Sequence, residues 1–127
     1  MDAIATDHAP HSILEKEVEF SAAANGIIGL ETSLPLSLAL IRDGILSPTQ
    51  LIDLMSTQPA KLLGVSGGSL HQGAIADITV IDPDKVFSYD RETIVSKSSN
   101  SPFIDWELQG KAVLTMLGGR ITHDEMS

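Results

Sequence analysis

Cysteine is absent from all 127 residues, which excludes a disulfide framework, a thiolate zinc site and a cysteine nucleophile. Positive charge is scarce. Eight Lys and Arg stand against seventeen Asp and Glu, for a formal net charge of −9. Such a surface repels phosphates, so neither nucleic acid nor an anionic membrane is an expected partner. No apolar run approaches the ~20 residues that span a bilayer. The amino end also lacks the charged, apolar, then small-residue layout of a signal peptide, so the expected location is cytoplasmic. Internal repeats and low-complexity tracts are missing too. Apolar material is plentiful, at 43% hydrophobic against 20% charged residues with a mean hydropathy of +0.14. That composition can bury a core and belongs to a folded chain of about one domain's length.

The most informative stretch is the first eleven residues. Met1 to Thr6 is a short run of small and β-branched residues that reads as a buried strand, and it stops at Asp7, His8, Ala9, Pro10 and His11. Proline cannot continue a ladder. In parallel α/β sheets and barrels, side chains meet ligands at the carboxyl ends of strands, where Asp7 and His11 fall.

Further along, residues 11–24 read as a surface loop of a length that is often functional. A buried helix is expected from Thr32 to Arg42, stopped by Gly44. Ser47, Pro48 and Gln50 form the pattern of an N-cap, a first helical position and a capping-box partner, so a second helix should run to about Met55. Thr57 can cap a third, through Leu63, closed by Gly64. Beyond a flexible turn at residues 65–69 the texture becomes β. Strands are expected at Ile78–Ile81, Val86–Tyr89 and Ala112–Leu117, with a primed hairpin turn at Gly118 and Gly119. Ser96 to Pro102 reads as an exposed loop.

The motif I-A-T-D-H-A-P-H at Ile4–His11 resembles the dihydroorotase family of amidohydrolases. Asn25 to Thr32 (N-G-I-I-G-L-E-T) is similar to that family's substrate loop and following helix start, and Ser56–Lys61 to its S-x-x-P-A-x helix. Gly73–Ile81 resembles a G-x-x-A-D strand shared with hydantoinases and allantoinases. The likeness runs from Asp2 to Asp124. It implies an α/β fold, namely the C-terminal part of a metal-dependent-hydrolase TIM barrel (its last strand and helices) over residues 1–64, followed by strands of a small β-sandwich domain over 65–127. A complete barrel needs roughly 250 residues, and the family's H-x-H pair has no counterpart here.

The resemblance also implies a chemistry: zinc-dependent, reversible cyclisation of N-carbamoyl-L-aspartate to L-dihydroorotate in pyrimidine biosynthesis. Asp7 would be a zinc ligand and the catalytic proton shuttle. His11 would hold the substrate carboxylate, and the backbone at Asn25 and Gly26 would bond the ring edge. In many relatives a proline and a bulky residue precede this glycine, where this chain has Ala24 and Asn25. The chain alone is expected to be inactive and not to retain zinc, because a catalytic zinc takes three protein ligands and only Asp7 matches one. Two alternatives are a noncatalytic dihydroorotase-like assembly subunit, with aspartate transcarbamoylase as partner, and a related cyclic amidohydrolase such as a hydantoinase or allantoinase. Unpaired strand edges and uncovered helix faces lead to an expected homo-oligomer.

Other residues have simpler explanations. His8 is expected to orient Asp7 at most. His71 and His123 read as solvated, and Glu31 as an acid favoured at a helix N-terminus. Asp82, Asp84 and Asp90 lack the glycine and terminal glutamate of a calcium loop and read as solvated acids.

Overall fold

In the computed structural model, which describes residues 1–126, the α-helices occupy the first half of the chain and the strands the second, with one 3-10 turn at Arg91–Thr93. The helices are α1 (Ile13–Lys16), α2 (Ser33–Arg42), α3 (Pro48–Ile52) and α4 (Gln58–Leu63), with a π-helical turn, Asp53–Thr57, joining the last two. Strands β1 (Ile78–Ser88), β2 (Glu107–Leu117) and β3 (Arg120–Asp124) form one antiparallel sheet in the order β1-β2-β3.

The helix signals behave as their chemistry requires. Ser47 Oγ accepts from the Gln50 N–H at 3.3 Å, and the Gln50 side chain accepts from the Ser47 N–H at 2.8 Å, completing the capping box that starts α3. The predicted break after Met55 does not occur. Pro59 has no N–H and would clash with the carbonyl four residues back in an ordinary helix. The chain widens instead, and the Gln58 N–H reaches back to the Asp53 carbonyl, so α3 and α4 form one continuous run with a π turn inside it.

The sheet departs from the sequence reading in one respect. The two strands expected at Ile78–Ile81 and Val86–Tyr89 are a single strand with register shifts between Val80 and Ile81 and between Asp82 and Val86. Asp82 is not simply a solvated acid. Its Oδ1 accepts from the N–H groups of Asp84 and Lys85 at 3.0 and 3.1 Å, which ties the irregular stretch around Pro83 into a local turn. Asp90 likewise accepts from Ser88 Oγ at 2.7 Å. Between β2 and β3, Gly118 and Gly119 both take positive φ, +57° and +79°, the two left-handed positions of the expected primed turn. The turn is anchored from outside: the Gly118 N–H donates to Asp77 Oδ1 at 2.7 Å and the Gly119 N–H to the Ala76 carbonyl at 2.9 Å.

The core joins the two halves. Leu38 of α2 packs directly over Gly110 of β2, and Ile28, Leu51, Leu54, Tyr89, Leu108 and Val113 are buried with it. Met1–Thr6, expected as a strand, has no ladder partner. Its Ile4 N–H donates to the Leu54 carbonyl at 3.0 Å, and the one pairing nearby is a bridge between His8 and Ile27. A strand exists only with a neighbour to bond, and none of the described strands lies alongside. No helix among the described residues is long and apolar enough to cross a membrane.

At the carboxyl end, Glu125 accepts from Lys111 Nζ at 2.7 Å and Lys85 Nζ at 2.8 Å. The bonds from Lys111 and then Lys85 hold its carboxyl down at about 2, from an ordinary 4.5. A carboxyl lowered in the folded state stabilises above its unfolded pKa, and that contribution disappears as pH falls through the folded value. The β3 end should therefore be pinned at neutral pH and loosen between about pH 4.5 and 2, by less than about 1 kcal/mol for so exposed a cluster. Amide exchange at Glu125, measured across that range with Glu125→Gln as control, checks this; the control should show no such transition.

Candidate functional site

The site begins at a turn. Asp7 has φ +42°, one of two non-glycine residues with positive φ among those described. This left-handed conformation costs roughly 1 kcal/mol and is one that aspartate tolerates better than most residues. The turn leaves Asp7 exposed and brings the next residues against a second segment. The Ala9 N–H donates to the Ile27 carbonyl at 2.9 Å, and the Gly29 N–H donates to His8 Nδ1 at 3.1 Å. His8 therefore uses Nδ1 as an acceptor here. It supports the Gly29 backbone and does not orient Asp7 as the sequence reading has it.

His11 and Gly26 meet across this pairing. A Cβ placed on Gly26, at φ +99°, would lie 3.9 Å from His11 Nε2 and 2.5 Å from Ala9 Cβ, so only glycine allows the backbone this close. On its other side His11 Nδ1 is 3.9 Å from Glu15 Oε1. Glu15 is itself held below the usual carboxylate range, by the Ser12 hydroxyl and then the Ser12 N–H. These contacts centre on α1, a single helical turn within the loop expected over residues 11–24, the rest of which is turn and irregular backbone. The Ser12–Glu15 capping box was readable in the sequence as S-x-x-E. Lys16, from the same turn of helix, donates to the carbonyls of Ala24 and Gly26 at 2.7 and 3.0 Å. Asn25, between them, is exposed.

The residues that sequence reasoning missed come from the segment expected to be an exposed loop. Residues 98–101 are partly buried and close over the His11 region. Asn100 Nδ2 donates to the carbonyls of Ala9 and Gly26 at 2.9 and 3.3 Å, its Oδ1 accepts from the His11 N–H at 3.2 Å, and its own carbonyl accepts from the Ile28 N–H at 3.1 Å. Ser98 Oγ donates toward the His11 carbonyl and lies 2.7 Å from Asn100 Oδ1. A cavity of about 370 Å³ borders this cluster, with His11, Lys16, Arg91, Ser98 and Asn100 in its wall.

Glu31 departs from its helix-dipole reading. Its Oε1 accepts from Ser96 N and Ser96 Oγ at 2.8 and 2.6 Å. Burial pushes the carboxyl up, but the Ser96 bonds outweigh it and hold the group below its ordinary value. The phenol of buried Tyr89 is pushed up by burial and by the Glu31 charge. His71 and His123 are exposed as expected.

The amidohydrolase family model matches residues 1–122. The chain is 59% identical over 119 residues to a dihydroorotase of Desulfotalea psychrophila, covering 94% of this chain and 28% of that one. It is 53% identical over 123 residues to a dihydroorotase of Geobacter metallireducens, covering 97% and 29%. Among solved structures, an L-hydantoinase (dihydropyrimidinase) from Arthrobacter aurescens superposes with a TM-score of 0.89 at 34% identity, over all of this chain and 30% of the other. The chain thus spans a little under a third of the length of the proteins it matches, and its α/β arrangement is that of part of an amidohydrolase barrel protein. With the family model matched from the first residue almost to the last, the chain belongs to the amidohydrolase family.

Proposed function

We propose that this chain carries the proton-transfer and substrate-binding part of a cytoplasmic dihydroorotase, which interconverts N-carbamoyl-L-aspartate and L-dihydroorotate in pyrimidine biosynthesis. The observation that carries the reading is the meeting of His11 with the Gly26 backbone directly beyond the Asp7 turn. In hydrolysis the Asp7 carboxylate takes a proton from the attacking water as oxygen bonds the ring carbonyl carbon, then delivers it to the nitrogen as the C–N bond breaks. In synthesis it removes the carbamoyl N–H proton and the same bond re-forms. His11, 3.9 Å from Glu15, holds the substrate carboxylate, and the backbone at Asn25 and Gly26 lies along the ring edge.

Zinc does not fit on these residues alone. A catalytic zinc takes three protein ligands, and no three His, Cys, Asp or Glu side chains cluster suitably among the described residues. Phe20, Leu62, Leu63 and Leu70 are exposed large apolar residues, and β1 and β3 each leave one edge unpaired. Association with another polypeptide, whether a second copy, the remaining part of a dihydroorotase or a transcarbamoylase, is the corresponding proposal. The division into a barrel part, 1–64, and a small β domain, 65–127, is also proposed.

The hydantoinase likeness supplies the second reading, because it too is a cyclic amidohydrolase. Carboxylate chemistry separates the two. We expect the chain, complemented with the remainder of the Desulfotalea dihydroorotase, to hydrolyse L-dihydroorotate in preference to hydantoin or dihydrouracil. His11→Gln should raise KM for dihydroorotate about tenfold, the scale of one charge-assisted hydrogen bond, and leave KM for the uncharged rings unchanged. Faster turnover of hydantoin, or an equal effect of His11→Gln on both classes, would favour the hydantoinase reading.

A further inference from the structure

We infer that Asn100 is a positioning residue for the substrate-binding site, a clamp by which the segment after residue 65 fixes the spacing of His11 from Gly26. Resting on the dihydroorotase reading for its kinetic part, it deepens that reading by assigning the site a third element.

One amide side chain bonds to both segments of the site, donating to Ala9 and Gly26 and accepting from His11. Its backbone carbonyl takes the Ile28 N–H as well. A side-chain amide offers two donors and an acceptor in one rigid plane. Here that plane spans the gap between the two segments whose other pairings are the Ala9–Ile27 bond, the His8 bond to Gly29 and the Lys16 bonds to the loop carbonyls. Ser98 adds a hydroxyl directed at the His11 carbonyl, so His11 is fixed at both its N–H and its C=O by residues 87 or more positions away. Asn100 need not touch the substrate. Its effect runs through the groups that do.

Positions that bind substrate equally before and during reaction alter KM and leave kcat alone, and this gives the clamp a signature distinct from general destabilisation. In the complemented enzyme, Asn100→Ala should raise KM for L-dihydroorotate about tenfold with kcat within about twofold. Asn100→Asp, which keeps the acceptor for His11 but sets a carboxylate oxygen against the Ala9 and Gly26 carbonyls, should raise KM at least as much as alanine does. In the 127-residue chain itself, Asn100→Ala should accelerate hydrogen exchange at the His11 and Ile28 amides about tenfold relative to amides of the β2–β3 hairpin, whose bonds do not involve residue 100. Should Asn100→Ala fail to fold, Ser98→Ala, which removes the contacts to the His11 carbonyl and to Asn100 Oδ1, reads out the same His11 amide. A uniform rise in exchange, unchanged exchange at His11 and Ile28, or a fall in kcat at constant KM overturns the clamp. A parent complex without dihydroorotate hydrolysis counts against the proposed function, and the exchange comparison then decides the clamp by itself.

Discussion

Replacing Asp7 by asparagine should lower dihydroorotate turnover in the complemented enzyme by about 10²–10⁴-fold, the range of a lost general acid–base group, while folding is unchanged. Asparagine has almost the same shape, and it too tolerates the left-handed backbone that Asp7 adopts at φ +42°. It cannot accept the proton. Glycine at the same position should be equally inactive, because it meets the backbone requirement with no carboxylate at all. Alanine should be inactive and also less stable by roughly 1 kcal/mol, since its Cβ meets the left-handed penalty with no compensating polar side chain. The three variants thus separate the two reasons for an aspartate here. A residue retained merely for its turn would leave the asparagine and glycine variants active. Turnover by either above about a tenth of the parent rate would remove Asp7 from the mechanism; single-turnover kinetics and urea denaturation of the same samples give both readouts.

Part of this structure was legible because its signals are local. Ser47, Pro48 and Gln50 announce α3 within four positions, and Gly118 with Gly119 announces the hairpin, since each feature is decided by the φ preferences and side-chain donors of adjacent residues. Asp7 and His11 stand out in the sequence by their motif, a run of small apolar residues cut off by an acid, two histidines and a proline. Features decided at a distance were not readable in this way. Pro59 signals a disturbance but not whether the helix breaks or widens, and the outcome depends on α4 continuing beyond it. Ser96 and Asn100 have the composition of a solvated loop, yet their partners lie 65 to 91 positions away. Periodicity carries no information about such a contact. Glu31 was misread for the same reason: its position at the start of α2 has a sufficient local explanation, which conceals the bond to Ser96. His8 shows a milder form of the problem. Its neighbour in sequence is Asp7, but its ring turns to the Gly29 amide.

Gly26→Ala should be the most damaging substitution for the shape of the site, and the damage should be divisible. A Cβ at this position would lie 2.5 Å from Ala9 Cβ, and the backbone is at φ +99°. The clash is overpacking, worth about 1–3 kcal/mol when the backbone must shift to relieve it. The dihedral adds roughly 1 kcal/mol that no shift of neighbours can relieve. Ala9 is the residue that would be pushed, and its N–H is bonded to Ile27 with His11 two positions on, so the same movement should widen the gap between His11 and the loop and raise KM together with the loss of stability. Changing Ala9 to glycine removes the obstructing methyl. The pair Ala9→Gly with Gly26→Ala should therefore recover about 1–3 kcal/mol relative to the sum of the single changes and most of the substrate affinity, while the dihedral penalty remains. Additive losses in denaturation, with no coupling between positions 9 and 26, would mean that these segments do not sit this close in solution. The contact between His11 and Gly26, on which substrate binding depends, would then go with them.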